Sequence, residues 1–259
     1  MRRIVWFGLV IPMLLIVFSA MRTSQEPIGK ITFPLNRVFV IPAGTSDIKY
    51  AQFNMDVFPG DKIETKKESR CEITLKNGDI FRIDENSIFT LEDVQVTEKT
   101  VKAEMFLGLG KIWANIRKIF SKDDYLRVKS PSAVIAVRGT IYRVDARKDS
   151  TTQVRVYEGK VAVSPPPATT PAAPAPRQPQ QKPKPQEVPA PQQVPAPTQV
   201  PGPTEVSVET WLQIVKAQQQ ITVHPDGSYE VAEYDLQKDE NLDWVQWNKR
   251  RDALRNQQR

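Results

Sequence analysis

Apolar and polar positions alternate along much of this chain, in short runs separated by glycine, asparagine and aspartate. Cys71, Ile73 and Leu75 fall on one side of such a run and Glu72, Thr74 and Lys76 on the other. That period of two marks a strand with one buried and one wet face. Asn77-Gly78 follows and leads straight into Ile80–Ile83, the strongest short-range signal for a β-hairpin. Similar runs predict strands at Val38–Ile41, around Ile48, and at Ile88–Leu91, Val94–Val96, Val101–Phe106 and Lys111–Ile116, the last two set apart by Gly108 and Gly110. Ile116–Ser121 reads as one helical turn. Further strands are predicted at Tyr125–Lys129, Val134–Val137, Ile141–Val144, Thr152–Tyr157 and Lys160–Val163. Short strands at regular spacing, joined by Gly, Asn and Asp turns, describe an all-β domain, here over residues 28–163.

Three segments break that rhythm. Residues 1–21 begin with Arg2-Arg3 and run apolar from Ile4 to Phe18, the layout of a signal peptide. The stretch also approaches the length of a bilayer span, so a cleaved leader and an uncleaved anchor over residues 4–21 are both compatible with it. Either places the remainder outside the cytoplasm. Residues 164–204 hold fifteen of the 22 prolines and almost no large apolar side chain. Such a composition buries too little surface to offset the entropy of ordering, so a disordered insertion is expected, read as a spacer. Alternation resumes at Val206–Val208, Trp211–Val215, Gln220–Val223 and Tyr229–Ala232, which makes 205–235 the last strands of the same domain. Residues 236–259 change period: Trp244, Trp247, Arg251 and Leu254 recur every three or four positions, as on an amphipathic helix.

Charge and chemistry narrow the function classes. Lys and Arg total 36 against 30 Asp and Glu in 259 residues, a net +6. That excess is mild and spread out, which argues against nucleic-acid binding. The lone His224 lies in a turn and the lone Cys71 at an apolar strand position, so neither a His-based catalytic set nor a zinc site is expected. No cofactor or metal ligand set stands out, and the expectation is a protein without catalytic activity.

One corner stands apart. Val134–Val137 and Ile141–Val144 are β-branched runs separated by Arg138-Gly139-Thr140. A glycine between strands marks a bend or a close approach, and an arginine between buried strands needs partners. Arg138 is therefore expected to be a buried structural keystone, with Asp61, Glu158 and Asp145 as candidate carboxylates.

Three blocks carry a resemblance. The first runs from Gly60-Asp61-Lys62-Ile63-Glu64-Thr65 through Cys71–Asp79, with Asn77-Gly78, to Ile83–Ser87. The second is Ser130–Val144 around Arg138-Gly139-Thr140, and the third is Thr152–Val163 with Glu158-Gly159. In this order they resemble FecR-like extracytoplasmic domains. The resemblance implies a twisted, β-solenoid-like stack of short strands, with the proline-rich insertion between two rungs and the helix at the end. Trp244-x-x-Trp247-Asn248-x-x-Arg251-Asp252 resembles the tail of some stand-alone FecR-like proteins. Its tryptophans are read either as a lid on the end of the β-domain or as an exposed patch for a partner or glycan. The family's named members are membrane-anchored regulators that relay an outer-membrane signal to a cytoplasmic sigma factor, and they carry a cytoplasmic segment before the membrane helix. Only Met1–Arg3 precede the apolar run here. The expectation is thus an exported stand-alone module in the cell envelope, a scaffold or binding protein for an envelope protein or polysaccharide. The alternative is a signalling regulator of the sigma/anti-sigma type that works through a membrane partner.

Overall fold

The computed structural model describes residues 25–117, 121, 123–167 and 212–257. The apolar leader, the proline-rich stretch beyond Pro167 and the strand expected at Val206–Val208 lie outside these residues. Among the described residues no helix is long and apolar enough to cross a membrane.

The described residues form seventeen strands and two helices, in order: β1 (Gly29–Leu35), β2 (Val38–Ile41), β3 (Lys49–Tyr50), β4 (Asp56–Val57), β5 (Lys62–Thr65), β6 (Arg70–Leu75), β7 (Ile80–Ile83), β8 (Ile88–Val96), β9 (Val101–Asn115), β10 (Tyr125–Lys129), β11 (Val134–Val137), β12 (Ile141–Ala146), β13 (Thr152–Glu158), β14 (Lys160–Ser164), β15 (Gln213–Lys216), β16 (Gln219–Val223), β17 (Tyr229–Glu233), α1 (Leu236–Glu240) and α2 (Asp243–Gln257). The all-β class agrees with the sequence. The strands pair into two open layers. Sheet A runs β4–β1–β6–β7–β9–β12–β13–β16–β17. Sheet B runs β3–β2–β5–β8–β9–β10–β11–β14–β15. Neighbours are antiparallel except β9 and β10, which are parallel. No solenoid rung is needed to account for these pairings.

The sheets share β9, and the sequence pattern shows how. Val101, Ala103, Met105 and Leu107 are buried at odd positions, whereas Ile112 and Ala114 are buried at even ones. The inward parity reverses at Gly110, whose φ is +94°. The first part of β9 pairs with β8 and β10 in sheet B. The part from Gly110 onward pairs with β7 and β12 in sheet A. Glycine is required there twice over: the positive φ disfavours any side chain, and a Cβ would lie 2.1 Å from Ser87 Oγ. The two strands expected on either side of Gly108 and Gly110 are thus one continuous strand that changes layer. Likewise Ile88–Leu91 and Val94–Val96 form the single strand β8, whose register slips between Thr90 and Asp93. A bulge adds a residue and flips the face without ending the strand.

Inward side chains of both layers make one core cluster, from Ile31, Ile73 and Ile112 to Val38, Val128 and Val163. Phe81 of sheet A and Phe89 of sheet B meet there at 5.6 Å between ring centroids. Cys71 is buried in it, and burial pushes its thiol well above the ordinary range, which leaves it protonated and inert. Strands β14 and β15 are hydrogen-bonded neighbours, with Val161 opposite Val215, so the chain leaves sheet B after Ser164 and returns beside the same strand.

The C-terminal helix expected over 236–259 is two helices. Asp235 caps α1 by accepting from Lys238 N, and Asn241 ends it. The buried positions of α2 are Trp244, Val245, Asn248 and Asp252, whereas Leu254 is exposed. The periodicity is helical as expected, but half of the covered stripe is polar.

Candidate functional site

The outward side chains of sheet A form a registered row. Phe33, Glu72, Arg82, Trp113, Arg143 and Arg155 are successive cross-strand partners on β1, β6, β7, β9, β12 and β13. Strand alternation puts them on the face away from the core, where charged residues ordinarily meet water. Instead Arg82 is 1% exposed and Arg143 3%, because α1 and α2 lie along the row.

Each charge in the row meets a partner from the helices or from the sheet. Glu72 Oε2 accepts from Arg82 Nε at 2.6 Å and from Arg251 Nε at 2.9 Å, and Arg251 Nη2 reaches Oε1 at 3.1 Å. Thr32 Oγ1 donates to the same Oε1 at 2.8 Å. Burial alone would raise the Glu72 carboxyl, but the Arg251 and Arg82 guanidinium groups outweigh it and hold the group at about 2. Arg82 Nη1 lies 2.8 Å from Asp252 Oδ1, and Trp113 Nε1 donates to Asp252 Oδ2 at 3.0 Å.

Arg143 and Arg155 face each other across β12 and β13. Like charges so placed repel, and a carboxylate between them removes the conflict. Asp239 of α1 provides it: Oδ1 accepts from Arg143 Nη1 at 3.0 Å and Arg155 Nη1 at 2.9 Å. Tyr157 Oη donates to Asp239 Oδ2 at 2.7 Å. Asp145 sits 3.1 Å from Arg143 Nε, and its own burial raises it despite that neighbour.

Aromatic rings fill the space between the charges. Trp244 and Trp247 stack at 5.3 Å, and Trp113 stacks on Tyr157 at 4.3 Å. The Arg70 guanidinium lies over both helix tryptophans, at 5.2 and 5.1 Å, and that of Arg251 over Phe33 at 4.3 Å. Trp244 and Trp247 pack against Phe33 and Arg70 on the outer face of sheet A.

The motif residues singled out in the sequence are placed differently. Arg138 is exposed, and its Nη2 donates to the Ser121 carbonyl at 2.9 Å. The buried keystone expected there is corrected: the side chain points outward at a corner, and among the described residues the buried arginines are Arg82 and Arg143. Of its candidate partners, Asp61 accepts from Phe58 N and Ala43 N, Asp145 pairs with Arg143, and Glu158 is exposed. Gly139, Thr140 and Gly159 do come together. Gly159 has a φ of +84°, a Cβ on it would lie 2.8 Å from the Gly139 carbonyl, and Thr140 Oγ1 donates to the Lys160 carbonyl. Gly60 and Gly78 also hold positive φ. Asn77 Nδ2 donates to Asp79 Oδ2 at 2.7 Å within its turn. These residues shape separate corners of the domain and do not converge on one site. Among the described residues no cluster of His, Cys, Asp and Glu could hold a metal ion.

Residues 61–162 match the family model described as FecR protein. The FecR stretch begins just before β5 and ends within β14, so it contains Glu72, Arg82, Trp113, Arg143 and Arg155 but neither helix. No curated protein matches the chain. Two crystal structures of a "putative anti-sigma factor" from Parabacteroides distasonis ATCC 8503 are similar to it, each at 17% identity and a TM-score of 0.44, covering 68% of this chain and 61% of that one. The chain thus spans less than two thirds of the length of those proteins.

Proposed function

We propose that this chain is an exported, non-enzymatic FecR module that works by holding a protein partner in the cell envelope, as a regulator in signalling. The observation that carries the reading is the FecR stretch at 61–162, since regulation is the role that family is named for. It favours the signalling alternative over a passive scaffold, and a protein over a polysaccharide as partner. The basic and then apolar start of the chain supports export. The geometry agrees with a role in binding: the outer row of sheet A is a charged and aromatic surface shaped to hold another chain segment. Two experiments test this. Residues 1–30 fused to a reporter active only outside the cytoplasm should give activity; a stable but inactive fusion would sink the export step. The intact tagged chain, crosslinked in living cells, should bring down a defined envelope protein. Recovery of glycan alone would overturn the choice of partner.

A further inference from the structure

The outer face of sheet A is built to accept a helix, and α2 occupies it from within the same chain. We infer that this face is a protein-binding site held closed by α1 and α2, and that its partner is a helix bearing an aromatic ring with a carboxylate two turns on. The inference rests on the protein-binding reading above and names the surface that would carry it.

Four observations converge. The row Glu72, Arg82, Trp113, Arg143, Arg155 lies straight across five neighbouring strands, so it can be read by a single extended element lying across them. Its excess of positive charge is met from outside the FecR stretch, by Asp239 and Asp252. Trp244, Asn248 and Asp252 repeat every four residues along the buried side of α2, which defines the recognised pattern as aromatic, amide, acid. Finally, the helix is held as much by ion pairs as by apolar contact. A buried ion pair gains little net stability, because desolvating both charges offsets their attraction. The charges on the sheet and on the helix regain water when α2 leaves, so release costs chiefly the contacts of Trp244, Val245 and Trp247. A terminal element of that kind opens more readily than the strands beneath it.

The test uses the full chain and a labelled peptide of residues 236–257 as the probe. Arg251→Ala loosens the cis helix while the sheet keeps its own satisfaction, since Glu72 retains Arg82 and Thr32. The peptide carries its own Arg251, so it can replace the weakened helix. Apparent affinity follows the fraction of open face, and the peptide should bind the Arg251→Ala chain about tenfold more tightly than the intact chain. A peptide with Asp239→Lys and Asp252→Lys should bind neither. Hydrogen exchange in the same samples should show α2 amides opening before those of β7 and β9. If α2 exchanges only together with the strands, the face never opens by itself and the inference is overturned. If α2 opens and the peptide still does not bind, the face is not a helix acceptor and the inference is equally overturned. Failure to find an envelope partner while the peptide binds would instead count against the proposed function alone.

Discussion

Arg82 on β7 and Asp252 on α2 meet at 2.8 Å beneath the helix, joining the FecR stretch to a segment outside it. Arg82 is buried and keeps Glu72 on its Nε at 2.6 Å, so removing Asp252 leaves Arg82 Nη1 without that partner and Trp113 Nε1 without its acceptor. Asp252→Ala should cost about 1–3 kcal/mol, read as a loss in denaturant unfolding. Arg82→Met combined with Asp252→Leu should recover part of it, because the Arg82–Asp252 desolvation cost vanishes while Glu72 keeps Arg251 and Trp113 Nε1 still lacks its acceptor. A double variant as weak as the single one would show that the pair contributes more than charge compensation.

Acid should loosen the helix before it unfolds the sheets. Glu72 is held at about 2, below the usual 4.5 of a free glutamate. A depressed carboxyl stabilises the folded state above its unfolded pKa and loses that contribution as pH falls through the folded value. The window is therefore about pH 4.5 down to about pH 2, and the amount roughly 3 kcal/mol. Asp61, Asp79 and Asp145 are raised, each chiefly by burial, and pull the other way. The effect should thus be followed locally, as hydrogen exchange in Asp243–Gln257. Equal protection of α2 at pH 5 and pH 2.5 would rule it out.

Gly110→Ala should damage the fold. A Cβ there meets Ser87 Oγ at 2.1 Å, Cβ at 2.5 Å and Cα at 2.6 Å, so shortening Ser87 cannot make room. With the cost of a positive φ added, a loss of at least ~2 kcal/mol is expected in thermal or chemical unfolding. Gly44, with open space around its Cβ, is the control and should cost less.

Arg138→Ala should be nearly silent. The residue is exposed and gives up one bond, to the Ser121 carbonyl. Surface changes of this kind stay within about 0.5 kcal/mol. A sharp fall in melting temperature would restore the buried role that its sequence context suggests.

Replacing residues 168–211 with a short Gly/Ser loop should leave the domain folded. Strands β14 and β15 are already paired neighbours, and closure cost changes only logarithmically with loop length. Circular dichroism and melting temperature should match the parent or rise slightly. An aggregating product would show that the segment takes part in the fold.

Much of the fold was legible because β-patterning is local. The alternation of Cys71, Ile73 and Leu75 and the Asn77-Gly78 turn gave β6 and β7 almost to the residue. Strand β1 was not read: its register shifts between Ile31 and Phe33, which blurs the period. The site was hidden for a different reason. Glu72, Arg82 and Arg143 stand at outward strand positions, where a charge is read as solvated, and only the helices far along the chain make them buried. A usable signal existed in α2, where Asn248 and Asp252 interrupt the apolar stripe on the covered side. Arg138 misled because it sits between two β-branched runs, yet a positive-φ glycine at 139 turns the corner outward.

The layer change at Gly110 bears on the order in which the chain assembles. Strand β9 borders two strands made before it, β7 and β8, and two made after it, β10 and β12. Neither layer is continuous until it arrives. During synthesis the first eight strands can form only partial ribbons, and β9 then serves both as their seal and as the template on which the later strands nucleate. Mutations at its midpoint should slow refolding more than they speed unfolding, whereas changes at the outer strands β3 and β17 should do the reverse.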